Sequence, residues 1–208
     1  MRISIRGRVF LVGACILAGA AGWAQQSQMP VQKEVVSTDL AVTFSTERSQ
    51  LMPSQSCFWL KGVGADAAVT FWKGFGIAAS LTGDTISNVT PGVDVKKITY
   101  LAGPRYTWTA WQGHAGAADQ RRLQVYGQGL FGWTHGFDGL YPAIPTPTTS
   151  AGSLAIQAGG GLNLYLTRNY GVRLLEADFV RTALPNGAAN TQNDMWLSFG
   201  VTWHIGRR

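Results

Sequence analysis

From Thr38 onward, apolar and polar side chains alternate with a period of two, and clusters of Gly, Pro, Asn, Asp and Thr interrupt the alternation. The pattern predicts eight strands, at about 38–46, 58–72, 75–86, 97–110, 123–134, 153–167, 171–182 and 193–205. No helix of convincing length is predicted. The last strand is the clearest: Met195, Leu197, Phe199, Val201, Trp203 and Ile205 form one apolar row, and Trp196, Ser198, Gly200, Thr202 and His204 form the other. The sixth repeats it, with Leu154, Ile156, Ala158, Gly160, Leu162, Leu164 and Leu166 opposite Gln157, Gly159, Gly161, Asn163 and Tyr165. A soluble sandwich would bury the apolar row and carry charge on the other. Here the second rows are mostly small or uncharged, as in a barrel whose apolar side faces lipid and whose polar side faces a narrow lumen.

The connections test the same idea separately. Those at 73–74 and 168–170 are tight, whereas 47–57, 87–96, 135–152 and 183–192 are longer and rich in Pro, Gly, Asn and Thr. Alternating short and long connections belong to an up-and-down transmembrane barrel, and each predicted strand is long enough to cross the hydrocarbon at a tilt. One connection, 111–122, is a dozen residues where a short turn is expected. The fold class predicted is therefore all-β, an eight-stranded antiparallel up-and-down transmembrane barrel.

Composition and the chain's first residues sharpen this picture. Hydrophobic residues make up 46% of the 208 and charged residues 13%, against roughly a quarter charged in an ordinary soluble domain. Arg2, Arg6 and Arg8 precede an apolar run from Val9 to Ala21, and Gly22-Trp23-Ala24 offers small residues where a signal peptidase reads. Residues 1–24 thus read as a signal peptide, 25–37 as a short polar tail and 38–208 as the barrel. Loss of the three arginines lowers the formal net charge from +6 to +3. The basic balance is then partly a targeting signature, and no nucleic-acid partner is expected. Cys15 leaves with the signal, so Cys57 stands alone, with neither a disulfide partner nor metal-type spacing.

The closing residues carry a family resemblance. Ser198, Gly200, Trp203 and Ile205 in Ser198-Phe199-Gly200-Val201-Thr202-Trp203-His204-Ile205 match the closing-strand signal of Gram-negative outer-membrane proteins. With the eight-segment layout, the chain resembles the small outer-membrane β-barrel family represented by the OmpA transmembrane domain and OmpX. The resemblance implies export through the periplasm to the outer membrane, with 25–37 a periplasmic tail. It also implies recognition of those four residues by the barrel-assembly machinery, and contact with outer-membrane lipids and lipopolysaccharide. The sequence departs from the family where Gly206-Arg207-Arg208 follows the signal.

Candidate chemistry is sparse. Gly159-Gly160-Gly161 lacks the Lys-Ser/Thr of a phosphate loop. His114, His135 and His204 show no HExxH spacing, and no GxSxG elbow occurs. No catalytic residue, metal or cofactor is assigned. The function expected is structural or surface-interacting, and the alternatives are a lipid-modifying barrel enzyme or a narrow pore. His135 with Asp138 is the one candidate acid–base pair for the enzyme. Tyr100, Tyr106, Trp108, Phe131, Trp133 and Trp203 fall on lipid-facing rows, as interfacial girdles do. The phase of the alternation turns Asp66, Arg105, Glu176 and Asp178 inward. Arg105 is expected to pair with Glu176, Asp178 or both and to plug the lumen, with Gln124, Gln128 and Gln157 completing the hydrogen bonds.

Overall fold

Side chains that alternate between apolar and small polar are satisfied together only on an extended backbone with different surroundings on its two faces. In the computed structural model the segments form β1 (Ser37–Ser49), β2 (Phe58–Trp72), β3 (Phe75–Thr90), β4 (Val93–Gln112), β5 (Arg122–Phe137), β6 (Ala151–Tyr165), β7 (Tyr170–Thr182) and β8 (Gln192–Gly206). The structure describes residues 36–49, 58–90, 93–113, 121–138, 141, 148–185 and 191–206. The segment 1–24 read as a signal peptide, most of the tail 25–37, Cys57 and His114 lie outside the described residues.

Each strand pairs antiparallel with its sequence neighbour, and β1 pairs with β8, so the sheet closes into a barrel in simple up-and-down order. Closure removes both sheet edges. Between β2 and β3 the turn residues Lys73 and Gly74 both have positive φ, 44° and 93°, the geometry of a tight primed hairpin turn that glycine makes feasible at its second position. The β2–β3 and β6–β7 connections and both ends of the barrel chain lie at one rim, here the turn rim. The β1–β2, β3–β4, β5–β6 and β7–β8 connections lie at the opposite, loop rim; the β3–β4 connection shortens to 91–92, and the longer β4–β5 connection, 113–121, shares the turn rim.

Alternation places one row of each strand outside. Val42, Phe44, Val63, Leu81, Tyr100, Phe131, Ile156, Phe179 and Phe199 are all exposed there. The buried side is largely polar, including Thr43, Ser45, Thr82, Thr99, Thr134, Ser153 and Ser198, with a small apolar cluster of Ala68, Ala78, Leu101, Leu130 and Ala155. This inverts the distribution of a water-soluble domain.

Several strands outrun their expected ends. β3 and β4 continue to Thr90 and Val93, and β5 reaches Phe137, although 87–96 and 135–152 read as loops. Backbone pairing persists past the point where outward positions cease to be apolar, as at Thr85 opposite Lys96. The 111–122 connection shrinks for a different reason: β4 runs to Gln112, opposite Arg122, and a register shift between Thr109 and Trp111 breaks the alternation while Trp111 stays exposed.

Candidate functional site

The barrel interior holds the chain's concentration of buried charge, in three tiers. At the turn rim, β1, β6 and β8 bring together Asp39, Tyr165 and His204. Tyr165 Oη donates to Asp39 Oδ1 at 2.8 Å, and His204 Nδ1 lies 2.6 Å from the same oxygen. The Arg122 guanidinium stacks 4.1 Å from the Tyr165 ring centre, and the His204 ring meets Tyr165 edge-on at 5.8 Å. Asp39 and His204 are direct cross-strand partners, so this cluster fastens the seam where the last strand closes on the first.

The middle tier centres on Arg173 of β7. Its Nη1 reaches Asp66 Oδ2 at 2.5 Å and Glu176 Oε2 at 2.7 Å, while Nε donates to Asn163 Oδ1 at 3.3 Å. Glu176 also accepts from Gln128 Nε2 at 2.9 Å and from Ser198 Oγ at 2.7 Å. The Tyr126 ring stands between two guanidinium groups, with Arg105 at 3.5 Å and Arg173 at 5.2 Å from its centre. Cation–π contact of this kind gains strength when both groups are shielded from water.

The outer tier lies toward the loop rim. Lys97 and Glu47 form a buried ion pair, Ser45 Oγ donates to Asp84 Oδ1 at 3.1 Å, and the Thr99 and Thr134 hydroxyls are 2.9 Å apart. Asp194 and Trp196 are buried on β8 at the same end. Above them Leu60, Val95, Tyr141 and Leu184 are buried, and Tyr141 is held by two backbone hydrogen bonds with Thr148, at 2.9 and 3.0 Å. Burial of the Tyr141 ring raises the pKa of its hydroxyl, against the opposing pull of Lys97. Two internal cavities in this region, one beside Lys97 and Trp196 and one beneath Tyr141, measure about 10 Å³ each, about the space that one water molecule requires.

The expected lumen residues are distributed differently from their sequence assignment. Asp66, Arg105, Glu176 and Asp178 are all buried. The cation bonded to Glu176, however, is Arg173 rather than Arg105, whose Nε and Nη2 have no hydrogen-bond partner among the described residues and whose guanidinium lies over the Tyr126 ring. Asp178 is buried beside Gln157 and Gln128, and among the described residues neither of its oxygens has a hydrogen bond of ordinary geometry. Gln128 joins the network, whereas Gln124 Oε1 and Gln157 Nε2 are buried without hydrogen-bond partners among the described residues. The physical reason is a β-bulge. Leu162 pairs with Leu175 and Asn163 with Arg173, so Leu174 is an extra residue. Strict alternation from outward Leu175 would turn Arg173 to lipid; the bulge exposes Leu174 and Leu175 together and returns Arg173 to the interior. The adjacent apolar pair Leu174-Leu175 was the available signal. Glu47 and Lys97 lay at the margins of their predicted strands.

The enzyme candidate pair separates. Asp138 accepts from Lys96 Nζ at 2.7 Å, and the His135 ring faces outward and stacks on Phe137. Of the closing-strand residues, Ser198 points inward to Glu176, Gly200 lies where a side chain would meet the backbone of Val42 and Thr43, and Trp203 and Ile205 face outward.

No protein-family model matches the sequence. No curated protein matches it either. Among solved structures, the chain is similar to Neisserial surface protein A, with a TM-score of 0.52 and 13% identity over 81% of this chain and 96% of that one. It is also similar to the attachment invasion locus protein Ail of Yersinia pestis (TM-score 0.46, 13% identity, 83% of this chain and 99% of that one). OprG from Pseudomonas aeruginosa gives a TM-score of 0.45 at 11% identity, over 83% of this chain and 97% of that one. The likeness to the Neisserial protein shows the fold alone, a closed eight-stranded antiparallel barrel.

Proposed function

We propose that this chain is a bacterial outer-membrane protein whose barrel is a closed anchor, displaying its loop-rim connections to lipopolysaccharide and to surface partners. The observation that carries the reading is the inverted wall: large apolar side chains circle the outside while Arg, Lys, Asp and Glu are buried within. An apolar girdle of this kind is stable in hydrocarbon and would aggregate in water. Delivery by the 1–24 signal and insertion through recognition of Ser198, Gly200, Trp203 and Ile205 complete the proposal.

The lumen is proposed to be non-conducting. Arg173 bridges β2 and β7 across the interior through Asp66 and Glu176, Lys97 joins β4 to β1 through Glu47, and Tyr141 with Leu184 covers the loop rim. Eight strands leave an interior that side chains can fill. The pore alternative gains no support from cavities of one-water size. The enzyme alternative gains none from His135 and Asp138, whose side chains engage Phe137 and Lys96 instead.

Planar-bilayer recording tests this reading. The wild-type protein is expected to insert without resolvable steps in current. An R173M/E176Q/D66N variant, which removes the middle tier, is expected to show small, flickering conductance. Stable channels from the wild-type protein would overturn the closed lumen.

A further inference from the structure

The outer wall is not evenly covered. A groove of about 720 Å³ opens on the outside of β1 to β5, and a second of about 350 Å³ continues it toward the loop rim through the shared residues Val42, Ala65 and Leu81. Cross-strand register explains the depression. Ala67, Ala79 and Ala102 stand side by side on β2, β3 and β4 and form the floor. Leu40 and Trp203 rise on one side and Phe131 on the other. Further along, Gly83 contributes no side chain, and the space outside it is open.

A row of polar and cationic residues crosses the head of this groove. Thr46, Lys61, Thr85 and Lys96 are successive cross-strand partners on β1, β2, β3 and β4, all on the outward face. Lys61 has no ion-pair partner among the described residues. Lys96 gives one donor to Asp138 and retains two. Arg48 and Trp59, paired with each other, stand one rung higher. From Lys61 to Ala67 is six residues, about 20 Å along a strand at about 3.3 Å per residue. With a tilt of about 40°, that is about 15 Å along the membrane normal, half of a hydrocarbon core of about 30 Å. The lysine row therefore stands at headgroup level when the alanine floor lies near the midplane.

We infer that this wall is a binding site for a phosphorylated, acylated saccharolipid of the outer leaflet, with the chemistry of lipid A. Its phosphate is held by Lys61, Lys96 and the Thr85 hydroxyl, the Thr46 hydroxyl donating instead to the Leu60 carbonyl, and an acyl chain lies along the groove over Ala79. This rests on the proposed outer-membrane location, because the cations stand at the loop rim, on the side that faces the outer leaflet in that orientation. Two ammonium groups suit a lipid phosphate, and each contributes on the order of a fewfold in affinity near a membrane surface. The apolar channel beneath them distinguishes an acylated ligand from a free anion.

Native mass spectrometry of the detergent-folded barrel, titrated with bis-phosphorylated lipid A, dephosphorylated lipid A and phosphatidylglycerol, tests the site. The wild-type protein is expected to retain bis-phosphorylated lipid A in preference to the other two. K61Q/K96Q is expected to weaken retention about tenfold or more, and the dephosphorylated lipid to lose as much on the unaltered protein. Ala79→Leu and, separately, Ala102→Leu fill the floor and are expected to weaken it while leaving the lysines in place; two variants keep the test alive if one misfolds. Equal retention by the charge variant, unchanged retention by every folded groove variant, or equal affinity for phosphatidylglycerol would overturn the assignment. Folding is scored independently by electrophoresis of unboiled samples. A wild-type protein that fails that control refutes the membrane barrel itself, whereas one that passes it and retains no lipid A refutes only the site.

Discussion

Arg173 is the side chain on which the interior depends most. Its guanidinium has left water, and only good geometry with Asp66, Glu176 and Asn163 compensates for the loss of hydration. Removing it leaves two carboxylates buried without their cation. Arg173→Met is expected to destabilise the barrel by about 3–5 kcal/mol. Arg105→Met, which mainly loses stacking on Tyr126, is expected to cost about 0.5–2 kcal/mol. Urea unfolding of the refolded protein, followed by tryptophan fluorescence, measures both, and an Arg105→Met cost equal to or above that of Arg173→Met would contradict this division. The contrast also marks how far residue-level reading of the sequence extends. Asp66, Arg105, Glu176 and Asp178 lie inward, in the phase that alternation gives them. Which cation meets which carboxylate depends on reach across the lumen, and no periodicity along one strand encodes that.

At the scale of the element, β7 departs from its own period. Leu174 is the inserted residue that lets Arg173 and Glu176, three apart, both face inward and share a bond. Deleting Leu174 would restore simple alternation and leave every other side chain of the strand on its present face, Arg173 and Glu176 included. The deletion variant is expected to reach the compact, urea-resistant form in refolding trials, as is Leu174→Ala, which keeps the residue count. A deletion variant that fails to fold while Leu174→Ala folds would show that Leu174 is more than an extra residue in the pairing of β7 with its neighbours. The strand cores were legible because an outward apolar residue recurs at every second position, as in Met195 to Ile205. The ends of β3, β4 and β5 were not legible. There the outward residues turn polar, as at Thr85, Lys96 and His135, and the hydrogen-bonded ladder continues without an apolar signature.

For the whole molecule, closure, inversion and interior charge belong to one arrangement. Pairing of β1 with β8 satisfies the last backbone edge, the outer apolar rows require hydrocarbon, and the ion pairs require shelter from it. The order of eight strands and their directions follow from local pattern, because every pairing except β1 with β8 joins sequence neighbours, whereas the connection read at 87–96 shortens to 91–92. The one long-range pairing is also the one fastened by Asp39 and His204, residues 165 apart in the chain. Electrophoretic mobility of the protein taken from the outer-membrane fraction, with and without boiling, tests the central claim of a closed membrane-embedded barrel most directly. The unboiled sample is expected to migrate as a compact band distinct from the boiled, unfolded chain. Identical mobilities, with the protein left in the soluble fraction after the membranes are pelleted, would contradict it.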